Sequence, residues 1–412
     1  MTEQPPAPEV AGIWCPELEL STLQLSARTP PQPSHTSVRV LVRQHAETVG
    51  YVTVATPATE ATAEQLATAA RERFSPAQLA AAEAAAAEPD YPAQPPTVSV
   101  VVCTRNRADQ LVSCLTELAT IDYPALEIVI VDNAPSDDAT RRVVEDAAAA
   151  DPRFRYVTEP RPGLSFARNK GLAEATGRYL AYTDDDVSVD SRWIAKLVRG
   201  FGRSPGTGCV TGLVCTASLT TRAELYFDAR AASWSTRLSP EVYDLAEHRR
   251  DDALYPYSAG IFGTGANFAF DTELLRSLGG FDNALGAGTP TKGGEDLDIF
   301  VRVLRAGHAI RYEPSAITWH HHRAGDDELL AQLYGYGTGL TAYLWKLMLS
   351  RDTRNDVLRR VPRGLARMRR IKDSTEQRLD SVPAPAGALR TELRGYLAGP
   401  YLYIKSRRRA RA

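Results

Sequence analysis

Apolar residues in the middle of the chain alternate between two kinds of pattern. VSVVVC and EIVIVD are unbroken apolar runs, and between them Leu111, Leu115 and Leu118 recur at helical spacing. A third run, FRYVTE, precedes the helical stretch SFARNKGLAEA, and a fourth, RYLAYT, ends in three aspartates. Unbroken β-branched runs that alternate with helices predict a mainly parallel sheet with helices on both faces. We therefore expect an α/β, Rossmann-like fold with a mixed, mainly parallel sheet.

Changes in composition divide the chain into four predicted parts. Residues 1–58 contain short β-branched runs and predict a small N-terminal β module. Residues 59–96 are rich in Ala and Glu and then in Pro, which is typical of helices followed by a linker. The α/β pattern occupies residues 97–323, and residues 324–412 predict a basic, helical C-terminal extension.

Charge is unevenly distributed along the chain. Hydrophobic residues make up 43% and charged residues 24% of the 412 residues, which suits a globular protein with a sizeable core. The formal net charge is -2, yet the segment from Lys346 onward has 18 basic and 6 acidic residues. We interpret this basic tail as a helical bundle that packs on the α/β part of the chain and has a solvated basic face. Peripheral contact with an anionic membrane surface is the alternative, and no nucleic-acid partner is expected.

The cellular location follows from cysteines and apolar runs. The five cysteines are odd in number and form no close CxxC pair, which argues against a disulfide framework and favours a reducing compartment. The N-terminal MTEQPPAPEV lacks the features of a signal peptide, and no uncharged apolar run has the length of a membrane span. We expect a cytoplasmic protein, with peripheral attachment to the inner face of the cell membrane as an open alternative.

Polar clusters follow the predicted strands where open α/β sheets bind ligands, beyond the carboxyl ends of the strands. The clusters are TRNR, DNAPSDD and the run Asp184, Asp185 and Asp186. Three adjacent carboxylates repel one another unless a cation or hydrogen bonds offset them. Oxygen ligands select a hard ion such as Mg²⁺ or Mn²⁺, which in turn binds phosphates. A solvated acidic turn is the alternative.

Two later clusters add candidate ligands and a candidate base. Glu295 and Asp296 lie in GGEDLDIFVRVL, whose apolar spacing predicts a helix with both acids in its first turn. Acids there also stabilise the helix dipole without any catalytic role. His320, His321 and His322 follow the apolar strand AITW, and strand alternation places His320 and His322 on one face. Imidazole can complete a metal shell or bind a diphosphate.

Three further residues near strand ends have polar groups suited to a nucleotide. The guanidinium groups of Arg105 and Arg168 can bind phosphates or stack on a base, although a surface role is common for any single arginine. Asp132 ends a buried strand, where a carboxylate needs a hydrogen-bond donor from a ligand or from a neighbouring backbone amide.

Taken in order, these segments resemble the family 2 glycosyltransferases, inverting nucleotide-diphospho-sugar transferases with the GT-A fold. The resemblance covers about residues 97–323 and is specific because the motifs occur in the family's order and spacing. The matching segments are VSVVVCTRNR, EIVIVDNAPSDDAT, GLSFARNKGLAEATGRYLAYTDDD, GTGANFAF, GGFD, GGEDLDIFVRVLRAG and ITWHHHR.

The resemblance implies a donor site for a nucleotide-diphospho-sugar. Thr104, Arg105 and Asp132 match positions that hold the nucleobase, and Arg168 matches one near the ribose and diphosphate. Asp184 resembles a donor-binding acid, with Asp185 beside it in the same set. The family often has Tyr where this chain has Arg105, which leaves the identity of the nucleobase open.

The resemblance also implies the chemistry of transfer. Asp186 resembles a ligand to Mn²⁺ or Mg²⁺ that bridges to the diphosphate, and His320 resembles a second ligand, with His322 as the alternative. Asp296 resembles the catalytic base, and Glu295 shapes its surroundings. The implied reaction transfers the sugar, with inversion, to a hydroxyl of a saccharide, a lipid-linked acceptor or a small molecule.

Acceptor contacts are predicted for 213–262, a segment rich in aromatics, and for the glycine-rich loop 284–294. The aromatic residues of the first segment are equally consistent with core packing; they are Tyr226, Phe227, Trp234, Tyr255 and Tyr257. Two other functions remain open. A sugar-1-phosphate nucleotidyltransferase should have a glycine-rich loop after the first strand, and TRNRADQ has no glycine. A non-catalytic nucleotide-sugar-binding module would be expected to lack Asp186 or Asp296, and both are present.

Overall fold

Two β-sheets organise the chain in the computed structural model, which describes residues 10–364, 366 and 384–410, without the side chains of 232–234. The smaller sheet has five strands and the larger has nine. Within the described residues, none of the helices combines the length and the apolar character that a bilayer crossing requires.

The small sheet lies near the N-terminus and carries two helices. Its strands run in the order β1-β4-β2-β3, with β5 paired to β4. Thr62 and Ser75 cap the two helices, each through a reciprocal capping box with a glutamine three residues later. The elements are β1 Gly12–Trp14, β2 Glu17–Glu19, β3 Gln24–Ser26, β4 His35–Gln44, β5 Glu47–Val54, α1 Ala63–Arg73 and α2 Pro76–Ala87. The predicted β module is therefore present, and the sequence analysis missed its three short strands.

The large sheet has the strand order β10-β14-β11-β13-β9-β6-β7-β8, with β12 paired to β14. Strands β8, β7, β6 and β9 are parallel neighbours, and β13 runs antiparallel between β9 and β11. Its strands are β6 Val98–Thr104, β7 Leu126–Asn133, β8 Phe154–Glu159, β9 Tyr179–Asp184, β10 Val187–Val189, β11 Thr207–Thr216, β12 Glu241–Tyr243, β13 Phe268–Asp271 and β14 Ala309–His320. The prediction of a mixed, mainly parallel sheet is confirmed.

Helices cover both faces of this sheet, and the side chains of its central strands are accordingly buried on both faces. In β6, Val100 and Val102 pack in one buried cluster and Val101 in another on the opposite face. The helices are α3 Ala108–Ala119, α4 Ala139–Ala150, α5 Leu164–Glu174, α6 Trp193–Gly202, α7 Arg222–Ser235, α8 Thr272–Ser277 and α9 Glu295–Arg305. Leucines of α3 fill the first cluster, and α5 and α9 fill the second.

Strand register brings the polar clusters together at one edge of the sheet. Thr104 of β6 pairs with Asp132 of β7, and Cys103 pairs with Asp184 of β9. The short strand β10 then turns back and pairs antiparallel with the end of β14, which sets Val187 opposite His320. The aspartate run and the histidine run are thereby neighbours, although more than a hundred residues separate them in sequence.

The C-terminal extension is helical, as predicted, and packs on the glycine-rich loop that precedes α9. Its elements are α10 Asp326–Leu349, α11 described over 354–364, and α12 Ala388–Arg409. Gly339 of α10 lies against Gly293 and Gly294, where a Cβ would come within 2.7 Å of the Gly293 carbonyl carbon. Thr338 Oγ1 donates to the carbonyl of Thr291 across 2.7 Å. Helix α10 therefore holds the segment that leads into Glu295.

A buried ion network joins the N-terminal module to the large sheet. Lys196 and Arg199 of α6 both contact the Glu47 carboxylate of β5, and Lys196 also contacts Asp90 at 2.9 Å. Arg199 additionally pairs with Glu313 of β14 at 3.1 Å. Each of these side chains is at most 5% exposed. Buried charges require such pairing, so the module is fixed to the sheet by a specific polar contact.

Candidate active site

Arg168 connects the two groups of acids that the sequence analysis singled out. It lies on α5, and its Nη1 donates to Glu295 Oε1 across 3.0 Å. Its Nη2 donates to the Gly265 carbonyl at 3.0 Å and lies 3.4 Å from Asp184 Oδ1. The arginine side chain is only 2% exposed. The end of β9 and the start of α9 therefore belong to one site.

Two aromatic rings lie close to this guanidinium. The Arg168 Cζ atom lies 5.1 Å from the ring centre of Phe268 and 5.5 Å from that of Phe281. Rings at such distances stabilise a buried cation and also fix its plane. The position of the guanidinium is thus set by packing as well as by its carboxylate partners.

The acids around Arg168 have shifted pKa values. Burial raises the pKa of the Asp184 carboxyl to about 7; Arg168 opposes this shift, and the charges of Asp186 and Asp185 add to it. Burial, followed by the charge of Asp296, raises the pKa of Glu295, which Arg168 partly offsets. Negative charge is therefore concentrated here beyond what one arginine neutralises, and a site of this kind favours a cationic ligand.

Asp296 is half-buried at the first turn of α9. Its Oδ2 accepts the backbone N–H of Gly265 at 3.1 Å, and its Oδ1 accepts the N–H of Leu297 at 2.8 Å. Gly294, the residue before the helix, has a φ of 91°, a left-handed conformation that suits glycine. The backbone thus orients this carboxylate, while its neighbour Glu295 is buried on the side of Arg168.

Asp185 is held by protein groups on both oxygens. Thr104 Oγ1 donates to Asp185 Oδ2 across 2.7 Å, and Arg107 Nη1 donates to Oδ1 across 2.6 Å. Burial raises the pKa of Asp185, although both hydrogen bonds lower it. Thr104 and Asp185 therefore order the loop after β6, and their predicted contact with the donor stays a prediction.

Asp186 faces His320 with one oxygen and two arginines with the other. Its Oδ2 lies 3.4 Å from Arg107 Nη1 and 3.1 Å from Arg323 Nη2. Its Oδ1 lies 4.0 Å from His320 Nε2. No specific role was predicted from the sequence for Arg107 or for Arg323, which directly follows the histidine run.

Hydrogen bonds determine which nitrogen of His320 has the lone pair. Arg39 binds both oxygens of Asp228, at 2.7 and 2.9 Å, so this carboxylate is ionised and accepts the Thr216 hydroxyl proton at 2.6 Å. Thr216 Oγ1 must then accept from His322 Nε2 at 3.2 Å. Neutral His322 therefore has its lone pair on Nδ1, which accepts from His320 Nδ1 across 3.0 Å.

The lone pair of His320 is consequently on Nε2, the atom that faces Asp186. Burial lowers the pKa of His320 and lowers that of His322 to about 3, which keeps both rings neutral. His321 points the other way, with its Nε2 3.5 Å from Ser188 Oγ. The predicted alternation of the three histidines is confirmed.

The residues fit a divalent cation held partly by substrate. Among the described residues, no three His, Cys, Asp or Glu side chains are grouped so as to hold a metal alone. Asp186 Oδ1 and His320 Nε2 lie close enough for one ion to reach both, since two ligand bonds of about 2.0–2.2 Å span up to about 4.2 Å. Ions such as Mg²⁺ often use one or two protein ligands and complete their shell with substrate phosphates.

Asp132, near the carboxyl end of β7, has a carboxylate oxygen without a hydrogen-bond partner among the described residues. Tyr156 donates to its Oδ2 at 2.9 Å, whereas Oδ1 is buried and accepts no hydrogen bond from the residues that the structure describes. Burial raises the pKa of Asp132, and the Tyr156 hydrogen bond lowers it. A buried carboxylate oxygen of this kind can accept from a ligand. Arg105 is exposed on the adjacent loop.

The aromatic residues of segment 213–262 mostly belong to the core. Tyr226, Phe227, Tyr255 and Tyr257 are all buried, and the side chain of Trp234 lies outside the described residues. Core packing, one of the two alternatives for these rings, is therefore the correct one for the three tyrosines and the phenylalanine.

Another aromatic side chain lies over the histidines. Tyr336 of α10 is 38% exposed, and its ring lies 6.0 Å from Phe227, which in turn lies 4.7 Å from the His322 ring. Burial, and then the charges of Asp296 and Asp184, raise the pKa of Tyr336. The C-terminal extension therefore contributes an accessible ring beside both acids, which the sequence analysis missed because nothing local marks this tyrosine.

Comparisons with known proteins show similarity to glycosyltransferases. Residues 99–270 match the family model "Glycosyl transferase family 2". An N-acetylglucosaminyltransferase of Sinorhizobium fredii is 28% identical over 227 residues, which is 54% of this chain and 52% of that protein. A pre-mycofactocin glycosyltransferase of Mycobacterium tuberculosis is 26% identical over 258 residues, 62% of this chain and 49% of that protein.

The chain thus spans about half the length of the curated relatives it matches. Among solved structures, a mannosyltransferase from Pyrobaculum calidifontis in complex with GDP-Man and Mn²⁺ gives a TM-score of 0.48 at 20% identity, covering 77% of this chain and 88% of that one. This likeness is too low to indicate a shared function. The match to the family model includes β6, β9 and β13, the strands that carry or flank Thr104, Asp184 and Gly265. Residues 99–270, which are less than half of the chain, are thus similar to glycosyl transferase family 2.

Proposed function

We propose that this protein transfers a sugar from a nucleotide-diphosphate donor to an acceptor hydroxyl, with inversion at the anomeric carbon and with the help of Mn²⁺ or Mg²⁺. The proposal agrees with the family model that residues 99–270 match and with the glycosyltransferase activities after which the relatives are named. One observation carries it: Arg168 contacts both Asp184, on the predicted donor side, and Glu295, the neighbour of the predicted base.

The donor is assigned to the edge formed by β7, β6 and β9. Asp132 has a free acceptor oxygen there for the nucleobase or ribose, and Arg105 is exposed for stacking or phosphate contact. Asp184 and Asp186 then flank the diphosphate end of the site. Arg107 and Arg323, which touch Asp186, add positive charge close to where the diphosphate would lie.

Asp186 and His320 would hold the cation. Their facing atoms and the lone pair on His320 Nε2 support this assignment, and they favour His320 over His322, both of whose nitrogens are hydrogen-bonded within the protein. A bound divalent cation would stabilise the negative charge that develops on the departing nucleoside diphosphate.

Asp296 takes the proton of the acceptor. The acceptor oxygen attacks the anomeric carbon from the face opposite the leaving group, one glycosidic bond forms, and the sugar–phosphate bond breaks with its electron pair leaving on the diphosphate. A carboxylate suits this role because its orientation is fixed by the Gly265 and Leu297 amides while it remains partly accessible. Glu295 keeps Arg168 in place beside it.

The test is a titration of the protein with UDP-, GDP- and dTDP-sugars, with and without Mn²⁺, followed by product analysis. We expect one nucleotide-sugar to bind tightly and to release its nucleoside diphosphate with transfer of the sugar, in a reaction that a chelator stops. Synthesis of a nucleotide-sugar from sugar-1-phosphate and a nucleoside triphosphate would instead identify a nucleotidyltransferase. Donor binding without turnover on any acceptor class would favour a binding module.

A further inference from the structure

Helix α12 has an inner face that packs tightly on α10. Gly395 lies against Gly337, where a Cβ would come within 3.1 Å of the opposing Cα. A Cβ on Gly399 would lie 2.6 Å from the Thr338 carbonyl oxygen, and Tyr403 donates to Asp282 at 3.1 Å. These contacts bury one side of the helix and fix its rotation about its own axis.

The opposite face of α12 exposes a stripe of large apolar side chains. They recur at intervals of three or four residues and so line up along one side of a helix about 33 Å long. Leu397 and Tyr401 at its centre are 84% and 68% exposed. The stripe, which we call the outer stripe, consists of Leu389 (47%), Leu393 (47%), Leu397, Tyr401 and Ile404 (38%).

Within α12, the exposed charged residues beside the outer stripe are all cations. The exposed charged residues of α12 are Arg390, Arg394, Lys405, Arg407, Arg408 and Arg409. The acidic residue in the sequence of this helix is Glu392, which is buried and paired with Arg230 at 2.6 Å. The outer face therefore combines five large apolar side chains with uncompensated positive charge.

We propose that the outer stripe of α12 docks on the surface of an anionic lipid bilayer. Apolar side chains beside lysine and arginine are the pattern of helices that lie in the plane of a membrane, where the apolar residues enter the interface and the cations contact lipid phosphates. A second copy of the chain is a poorer occupant, because two such faces would bring like charges together. A purely ionic partner would leave Leu397 and Tyr401 in water.

Docking in this way would hold the candidate active site at the membrane. Helix α12 rests on α10, and α10 rests on Gly293 and Gly294, the residues that lead into Glu295 and Asp296. The path from lipid surface to predicted base therefore runs through two rigid helices. The docking itself does not depend on the proposed transferase activity, and it can be measured without any substrate.

The experiment is flotation of the full chain with vesicles of phosphatidylcholine, alone or mixed with phosphatidylglycerol, at about 0.15 M salt. We expect the protein to float with the anionic vesicles and to remain in solution with the neutral ones. Leu397→Asp should lower the partition coefficient by roughly ten- to a hundred-fold, since it removes a leucine that would enter the apolar part of the bilayer on docking. Arg408→Gln should lower it by about five-fold.

Matched controls separate docking from a general effect of surface mutation. Val112→Asp changes a 50% exposed apolar residue on α3, and Arg142→Gln removes an exposed charge on α4; both should float like the wild type. Urea midpoints should be equal for all variants, since Leu397 is exposed. Failure of the wild type to float with anionic vesicles would overturn the proposal. So would flotation that Leu397→Asp leaves unchanged, or a dimer in light scattering that this variant dissociates while flotation is absent.

Discussion

Arg168 and Glu295 form a buried ion pair at 3.0 Å although 127 residues separate them in the chain. The arginine comes from the middle of α5 and the glutamate from the first residue of α9. Because Arg168 also reaches Asp184, this pair joins the donor side of the candidate site to the predicted base.

Breaking this ion pair should strongly destabilise the protein. Arg168→Met leaves Glu295 buried without its partner and should lower the free energy of unfolding by about 3–5 kcal/mol, as measured in urea. Combining Arg168→Met with Glu295→Leu should cost less than the sum of the two single changes. The exposed pair Arg142–Asp138 is the control, with a coupling energy below about 1 kcal/mol. Additive effects for Arg168 and Glu295 would contradict a direct coupling.

Asp296→Asn should abolish transfer while leaving donor binding intact. The amide keeps the shape of the side chain but cannot accept the acceptor proton, so kcat should fall by about 10²–10⁴-fold. Calorimetric titration with the donor should give an affinity within about two-fold of the wild type, since the contact of Asp296 is with the Gly265 amide. Glu273→Gln, an exposed acid in the first turn of α8, is the control. Wild-type turnover of Asp296→Asn would refute the assignment of the base.

A series of hydrogen bonds connects Arg39 to His320. It predicts that a residue that does not contact the metal controls the affinity of the site for the metal. Asp228→Asn can donate to Thr216 and so removes the reason for His320 to present a lone pair at Nε2. We expect Mn²⁺ affinity, measured by calorimetry in the presence of the nucleoside diphosphate, to fall by about 10–100-fold. Asp244→Asn breaks a comparable but exposed contact with His248 and should have no effect. Equal Mn²⁺ affinity in both variants would show that the hydrogen bonds of Asp228 do not control how His320 binds the metal.

The lowered pKa of Glu47 predicts how the free energy of unfolding depends on pH. Burial by itself raises the pKa of Glu47, but the hydrogen bond from Arg199 and the charges of Lys196 and Arg199 outweigh it and lower the pKa to about 2. Since this value lies below the unfolded value near 4.3, the stabilisation is complete above about pH 4.3 and is lost as the pH falls toward 2.

Glu47→Gln should therefore destabilise the protein by about 3–5 kcal/mol at pH 7 and by less at pH 3. Urea unfolding at the two pH values measures the difference. Glu60→Gln, an exposed acid just before α1, should show no such pH-dependent change. A loss for Glu47→Gln that is the same at both pH values would mean that folding does not lower the pKa of this carboxyl.

The position of Tyr336 predicts that the C-terminal extension contributes to acceptor binding. Its exposed ring lies beside Phe227 and near the charges of Asp296 and Asp184. Tyr336→Ala should raise the KM for the acceptor by about three- to ten-fold with little change in donor affinity, while Tyr336→Phe retains the stacking ring and should behave like the wild type. Tyr401→Ala, on the far side of α12, serves as the control with a soluble acceptor. A rise in donor KM instead would place Tyr336 on the donor side.

The sequence predicted the parallel half of the large sheet because its strands are continuous apolar runs between amphipathic helices. β6, β7, β8 and β9 all occur where the pattern indicates, and the polar residues lie at their carboxyl ends. Short strands escaped detection: β1 to β3 have three residues each. β1 and β2 pair with β4, and β3 pairs with β2, so these strands depend on tertiary pairing rather than on a local pattern.

The acids and histidines of the candidate site are grouped in short segments and could therefore be identified from the sequence. Asp184 to Asp186, Glu295 and Asp296, and the three histidines stand in adjacent positions, and their residue types indicate phosphate, metal and proton chemistry without any coordinates. The contacts between these segments cannot be identified from neighbouring positions in the sequence. The buried position of Arg168 between two acids, and the roles of Arg107 and Arg323 at Asp186, depend on side chains from distant segments meeting in space.

The amino-acid sequence by itself determined the fold class and the candidate residues, because hydrophobic periodicity and residue chemistry are properties of neighbouring positions. Tertiary structure alone decided that His320 presents Nε2 toward Asp186, since the proton on its ring is assigned by Arg39 and Asp228, which come from two other parts of the chain. It also decided that α12 exposes Leu397 while burying Gly395, because the rotation of that helix is set by the glycine contacts with α10.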